Sequence, residues 1–222
     1  MVQIITIEGN IGSGKSTLLA HLKEKYKTNA NIIFLREPVD EWESIKDKEG
    51  VTMLEKFYSD QKTYSFSFQM MAYISRLNLL KDAVKNNPDA IIITERSLTT
   101  DKMVFAKMLY DAGNIEEVNY QIYSKWFDCF ASEYPIKKII YVKSSPKICY
   151  DRIHERSRLG ESVIPLEYLN TCDEYHSGMM QYFSENKNEL LELDGNVNMK
   201  IKENEHVLTK WLEDINVFIL QN

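Results

Sequence analysis

Gly9-x4-Gly14-Lys15-Ser16 is a spacing that can do chemistry on phosphate. Glycines at 9, 12 and 14 let the backbone curl until successive N–H groups point inward at phosphate oxygens. A helix opening near Gly14 adds its positive end to the same place. Lys15 can reach the β- and γ-phosphates, and the Ser16 hydroxyl can hold Mg²⁺. Gly9, Asn10, Ile11, Gly12, Ser13, Gly14, Lys15, Ser16 and Thr17 are therefore the candidate binding loop for a nucleoside triphosphate. Two more groups of reactive type follow apolar runs. Glu37 stands before Pro38 and can serve as a general base, or be a solvated loop acid. Glu95-Arg96 can supply an acid for Mg²⁺ and a guanidinium for a transferring phosphoryl group, or form a salt-bridged turn.

The elements that must carry these groups are readable from periodicity. Ile4–Ile7 is a β-branched run suited to a buried parallel strand, and Leu18, Leu19 and Leu22 give the following helix, to about Tyr26, its apolar face. Asn31–Arg36, Ala90–Thr94, Lys138–Val142 and Leu190–Leu193 read as four further strands. Glu37 and Glu95 then lie at carboxyl ends of strands, where open α/β sheets bind ligands. A short helix is expected over Gly50–Tyr58, a long one from about Tyr64 to Lys85, and others over about Thr99–Ala112 and Glu116–Ser132. Pro146 and Pro165 open two more, the second running to about Phe183, and the end from Glu203 reads as a closing amphipathic helix. On the long helix Gln69, Ala72 and Arg76 fall on one face, either an ordinary solvent stripe or a surface that recognises a base edge. Asp101, at the start of the next helix, has a plain helix-dipole explanation. Arg152, Arg156 and Arg158 belong to a solvated helix or to a lid over phosphates.

The chain has 222 residues, enough for one α/β domain, with 44% hydrophobic and 27% charged residues. A net charge of −6 argues against nonspecific nucleic-acid binding. Three widely spaced cysteines suggest reduced core thiols rather than a disulfide framework or a zinc site. No apolar run is long enough to span a membrane, and the first strand begins almost at Met1, so the cytoplasm is the expected compartment.

In order, EGNIGSGKST (Glu8–Thr17), EPVDEW (Glu37–Trp42), SFSFQ (Ser65–Gln69), ERS (Glu95–Ser97), RIHERSR (Arg152–Arg158) and IPLEYL (Ile164–Leu169) resemble the deoxyribonucleoside kinases of the deoxycytidine, deoxyguanosine and insect-type group. The resemblance covers about Ile4 to Leu193. It implies a P-loop kinase fold over residues 1–222, with a five-stranded parallel sheet flanked by helices and a lid at about 152–163. The implied reaction moves the γ-phosphate of ATP or another NTP, with Mg²⁺, to the 5′-hydroxyl of a deoxyribonucleoside. Glu37 resembles the family's base, Arg96 the arginine at the transferred group, and Glu95 with Ser16 the metal site, while Lys15 stays with the phosphates. Gln69 resembles the reader of the base edge, with Trp42 and Phe68 around the base. Tyr58 and Glu161 are similar to the pair that holds the 3′-hydroxyl, and Arg152, Arg156 and Arg158 to the lid arginines. Ala72, Arg76 and Asp101 resemble the deoxycytidine and deoxyguanosine branch, so deoxycytidine is expected first, deoxyadenosine and deoxyguanosine next, and thymidine last. The resemblance also implies a homodimer through the helices after Ser97. Thr63-Tyr64 departs from the basic-Trp pair usual in the family, and the match weakens beyond Asp194. A thymidylate-kinase-like enzyme, which acts on a monophosphate, and a non-kinase ATP-binding switch are the alternatives.

Overall fold

The computed structural model describes residues 2–156, 163–199 and 201–220. Five parallel strands form its sheet: β1 (Gln3–Glu8), β2 (Ile32–Leu35), β3 (Ile91–Glu95), β4 (Ile136–Lys143) and β5 (Glu189–Asp194). Their order is β2-β3-β1-β4-β5. Helices on both faces explain why β1 and β3 are buried almost throughout. On one face, α1 (Lys15–Lys25) packs Leu18, Leu19 and Leu22 with Ile5, Ile7 and the Trp211, Ile215 and Ile219 of α10 (Glu205–Leu220). On the other, α4 (Gln61–Asn86) and α7 (Glu117–Phe130) bring Tyr73, Leu80 and Tyr123 against Ile4 and Ile92. From central β1 the chain lays β2 and β3 on one side and then β4 and β5 on the other. A crevice therefore opens at the carboxyl end of β1, the place such sheets use for ligands. The register sets Ile7 beside Glu95, so the loop after β1 and the acid ending β3 are neighbours.

Two glycines make the turn after β1 possible. Gly9 has φ 144°, and a Cβ there would lie 2.5 Å from the Val142 carbonyl oxygen. Gly12 has φ 81°, and a Cβ there would lie 2.5 Å from the Cys149 carbonyl oxygen. No other residue fits either position without displacing backbone.

The expected elements are present, with three differences. First, the stretch after β2 forms a helix, α2 (Val39–Ser44), with Pro38 as its N-cap, so the proline that ends the strand also begins a helix. Second, α4 starts at Gln61 rather than Tyr64, because the Asp60 carboxylate accepts a hydrogen bond from Thr63 N; α3 before it (Met53–Ser59) opens on a capping box of Thr52 and Glu55. Third, the helix expected over about Thr99–Ala112 is composite. A short α5 (Leu98–Thr100) widens into a π-helical turn, Asp101–Ala106, before α6 (Lys107–Asp111). Such wide turns are frequent at functional sites, and this one begins at Asp101. Of the remaining helices, α8 (Pro146–Arg156) and α9 (Leu166–Glu185) lie between β4 and β5 in sequence.

Candidate active site

The loop after β1 turns its functional atoms to the crevice. Lys15 is buried, and its Nζ donates to the carbonyl oxygens of Gly9 (2.9 Å) and Asn10 (2.7 Å). Burial, with the Arg96 charge adding to it, lowers the Lys15 ammonium to about 7. Incoming phosphates would favour its charged form. Ser16 Oγ donates to Glu95 Oε1. A hydroxyl and a carboxylate side by side are the oxygen donors that Mg²⁺ accepts when phosphates and water complete its shell. Asn10 braces the loop instead of facing the crevice. Its Oδ1 accepts from Ile11 N (2.8 Å), and its Nδ2 donates to the Leu169 carbonyl (2.9 Å), which fixes the loop to α9.

Behind the loop four charges lie together. The carboxylate of Glu37 accepts from Arg96 Nη1 (2.7 and 3.0 Å) and from Arg76 Nη2 (3.0 Å). Arg76 Nε donates to Asp101 Oδ2 (2.9 Å), and its Nη1 to the Glu95 carbonyl (2.7 Å). Burial by itself would raise Glu37, but the charges of Arg96, Arg76 and Lys15 outweigh it and hold the carboxyl at about 2. At Asp101 burial wins over the pull of Arg76 and pushes the carboxyl up to about 6. Arg96 has a left-handed backbone, φ 62°, a conformation that a non-glycine residue adopts only under constraint. Its N–H donates to the Ile7 carbonyl (2.9 Å), and its guanidinium lies 5.1 Å from the centre of the Phe105 ring.

The cavity in front of these charges has an apolar wall with one amide in it. Gln69 and Ala72 are 2% and 4% exposed and line the cavity, which excludes the solvent-stripe reading of that helix face. No hydrogen bond joins the Gln69 amide to another described residue, so its donor and acceptor face the cavity. Trp42 is locked by donation from Nε1 to Ser75 Oγ (2.8 Å), and Phe68 packs between Trp42 and Phe57, with ring centres 5.7 and 4.5 Å away. Tyr58, Asp101 and Arg96 complete the predicted lining, whereas Arg76 stands one layer behind, touching the cavity through Asp101 and Glu37. Leu54, Phe57, Phe105 and Tyr168 also line it and were not foreseen. A signal for Phe105 was available, because it follows Asp101 by one helical turn.

On the donor side Arg152 and Arg156 line the same cavity. Arg152, expected over phosphates, is engaged by backbone: Nη1 donates to the carbonyls of Ser13 (3.2 Å) and Gly195 (2.7 Å), Nη2 to those of Asn196 (3.4 Å) and Val197 (3.0 Å). It fastens the loop after β5 to the glycine-rich loop, and so brings Val197, Asn198 and Met199 to the cavity's mouth. These three were missed because nothing in their types marks them; only the position after β5's carboxyl end does. Arg158 and Glu161 lie outside the described residues, as does half of the expected lid.

A parallel sheet with this loop, a Ser–Glu oxygen pair and an arginine-flanked carboxylate defines a P-loop phosphotransferase with a second, apolar acceptor site. The deoxynucleoside kinase family model matches residues 5–219, and the chain belongs to that family: it is a deoxyribonucleoside kinase. Among curated proteins it is 36% identical over 196 residues to a probable deoxycytidine kinase of Fowlpox virus, covering 86% of this chain and 78% of that protein. It is 32% identical over 201 residues to deoxycytidine kinase 1 of Xenopus laevis (82% and 75%). With the mitochondrial thymidine kinase 2 of Homo sapiens it shares 31% over 175 residues (78% and 62%). The monophosphate-kinase and non-kinase alternatives are not favoured.

The charges predict opposite pH limbs for the two substrates. For the nucleoside, kcat/KM is expected to rise with pH through about 6 as Asp101 ionises. For ATP it is expected to fall above about 7 as Lys15 loses its proton. Glu37, at about 2, adds no limb in this range. Steady-state profiles from pH 5 to 9 check this, and Asp101→Asn should abolish the acid limb alone.

Proposed function

We propose that the enzyme phosphorylates deoxycytidine in preference to the other deoxynucleosides, with ATP as donor and with Mg²⁺, which Ser16 and Glu95 would hold and which would neutralise charge on the phosphates. The observation that supports the base preference is Asp101 in the cavity wall with Gln69, paired from behind by Arg76. Arg76 occupies Asp101 Oδ2, leaving an acceptor suited to an exocyclic amino group, which thymine lacks. A base without that donor leaves a buried carboxylate unmatched, and such mismatches discriminate strongly. Deoxyadenosine and deoxyguanosine come next in this reading. The names of the relatives support both outcomes, since cytidine and thymidine kinases match at similar identity. Side-by-side kcat/KM values for the four deoxyribonucleosides decide it: deoxycytidine should exceed thymidine by about 10²-fold or more, and equal turnover of the two removes the proposal.

In the mechanism this supports, Lys15 and the loop N–H groups hold the donor, and Arg96 faces the charge on the transferred group. Glu37 accepts the hydrogen bond of the 5′-hydroxyl and aligns it for attack. Trp42, Phe68 and Gln69 place the base, and Tyr58 with Glu161 hold the sugar. Arg156 and Arg158 bind the donor phosphates, while Arg152 shapes the donor mouth. One catalytic unit over residues 1–222 carries the reaction. Glu37→Gln should lower kcat by about 10²–10⁴-fold while both substrates still bind, as read by single-turnover kinetics and calorimetric titration; full retained activity removes Glu37 from the mechanism.

The assembly we infer is a homodimer through α4 and α7, where Ile74, Val118, Ile122, Trp126 and Phe130 are exposed apolar side chains on two neighbouring helices. Sedimentation equilibrium should give twice the chain mass, and a monomer at micromolar concentration would discard this assembly. The cytoplasm is the compartment we propose, consistent with three unpaired cysteines.

A further inference from the structure

Glu8 is a carboxyl that the phosphoryl-transfer scheme leaves without a role. It ends β1, immediately ahead of Gly9, and none of its surface is exposed. Among the described residues its partners are hydroxyls rather than a cation. Oε1 accepts from Thr6 Oγ1 (2.6 Å), and Oε2 from Thr100 Oγ1 (2.5 Å). A buried carboxyl held this way is costly compared with an apolar side chain at the same strand position. Stability alone therefore does not explain it.

Thr100 is the link. Its hydroxyl donates a hydrogen bond to Glu8, accepts one from Ser97 N (3.4 Å) and lies 3.0 Å from Ser97 Oγ, which in turn accepts from Thr100 N (3.2 Å). This closed box opens α5, and the residues on either side of it belong to the active site. Before it stands Arg96, in its left-handed conformation against Glu37; after it stands Asp101, paired with Arg76. α5 has three residues before the π-helical turn, too few to fix its own starting point. An outside anchor is needed, and the Ile7 carbonyl on Arg96 N and the Glu8 carboxyl on Thr100 provide it from one strand end.

We propose that Glu8 is a positioning residue for the nucleoside half of the site. Through Thr100 Oγ1 it sets where the Arg96–Asp101 segment stands, and so where Arg96 meets Glu37 and Asp101 meets the base. The same residue adjoins Gly9, so the acceptor side is registered directly against the donor loop.

The test compares Thr100→Val, Thr100→Ser and Thr6→Val in the full chain, each assayed with whichever deoxynucleoside the parent prefers, so that the outcome does not depend on the base assignment. Thr100→Val should raise the nucleoside KM and lower its kcat/KM by about tenfold or more, while the KM for ATP stays within about threefold. Thr100→Ser, which keeps the hydroxyl, should restore parent values. Thr6→Val takes the other hydroxyl from the same carboxyl and should lower the melting temperature comparably, with kcat/KM kept within about threefold. If Thr100→Val folds poorly, Thr100→Ala is read against the same limits. Parent-like nucleoside kinetics in the position-100 variants, or an equal loss in Thr6→Val, would overturn the proposal.

Discussion

Glu37 carries a largely buried negative charge, and much of the active site is arranged to make that tolerable. Two guanidiniums and a second carboxylate surround it, so the group of Glu37, Arg96, Arg76 and Asp101 is neutral as a whole. None of the four could be buried alone, since an isolated ion in the interior shifts its pKa or unfolds the site. The requirement dictates geometry. Glu37 leaves the end of β2, Arg96 follows β3, Arg76 comes from the middle of α4, and Asp101 begins the π-helical turn. Three stretches distant in sequence, at Glu37, at Arg76 and at Arg96–Asp101, must meet within hydrogen-bonding distance, and the strained backbone of Arg96 is accepted to achieve it.

The same arrangement explains what could be read from the sequence. Strands and helices were legible because their apolar periodicity reports burial directly, as in Ile4–Ile7 or Leu18, Leu19 and Leu22. The glycine-rich loop was legible because backbone geometry demands its glycines. Glu37 and Glu95 could be placed at strand ends for the same reason. Contacts between elements were not legible. Nothing in its spacing announced that Arg152 would spend its donors on four carbonyls, or that Asn10 would reach α9. The helix over Val39–Ser44 gave no sign because six residues carry too little periodicity to register, and the π-helical turn gave none because its widening comes from packing rather than from residue type. Glu8 falls within a motif, yet its role depends on Thr100, 92 positions away.

A carboxylate held at about 2 is a weak base, which at first conflicts with the place we propose for it beside the reacting alcohol. Phosphoryl transfer resolves the conflict. In a loose transition state the hydroxyl forms little bond to phosphorus until late, and its proton becomes strongly acidic only as that bond forms. Before then the oxygen needs alignment, and an ionised carboxylate fixed by two arginines supplies a rigid acceptor that does so. A more basic glutamate would have to be freed from Arg96 or Arg76, and would lose both its orientation and the charge balance that lets it stay buried. The arginines thus set the basicity of Glu37 and its direction by the same contacts. Positioning and charge stabilisation, rather than proton affinity, are what this site is built to provide.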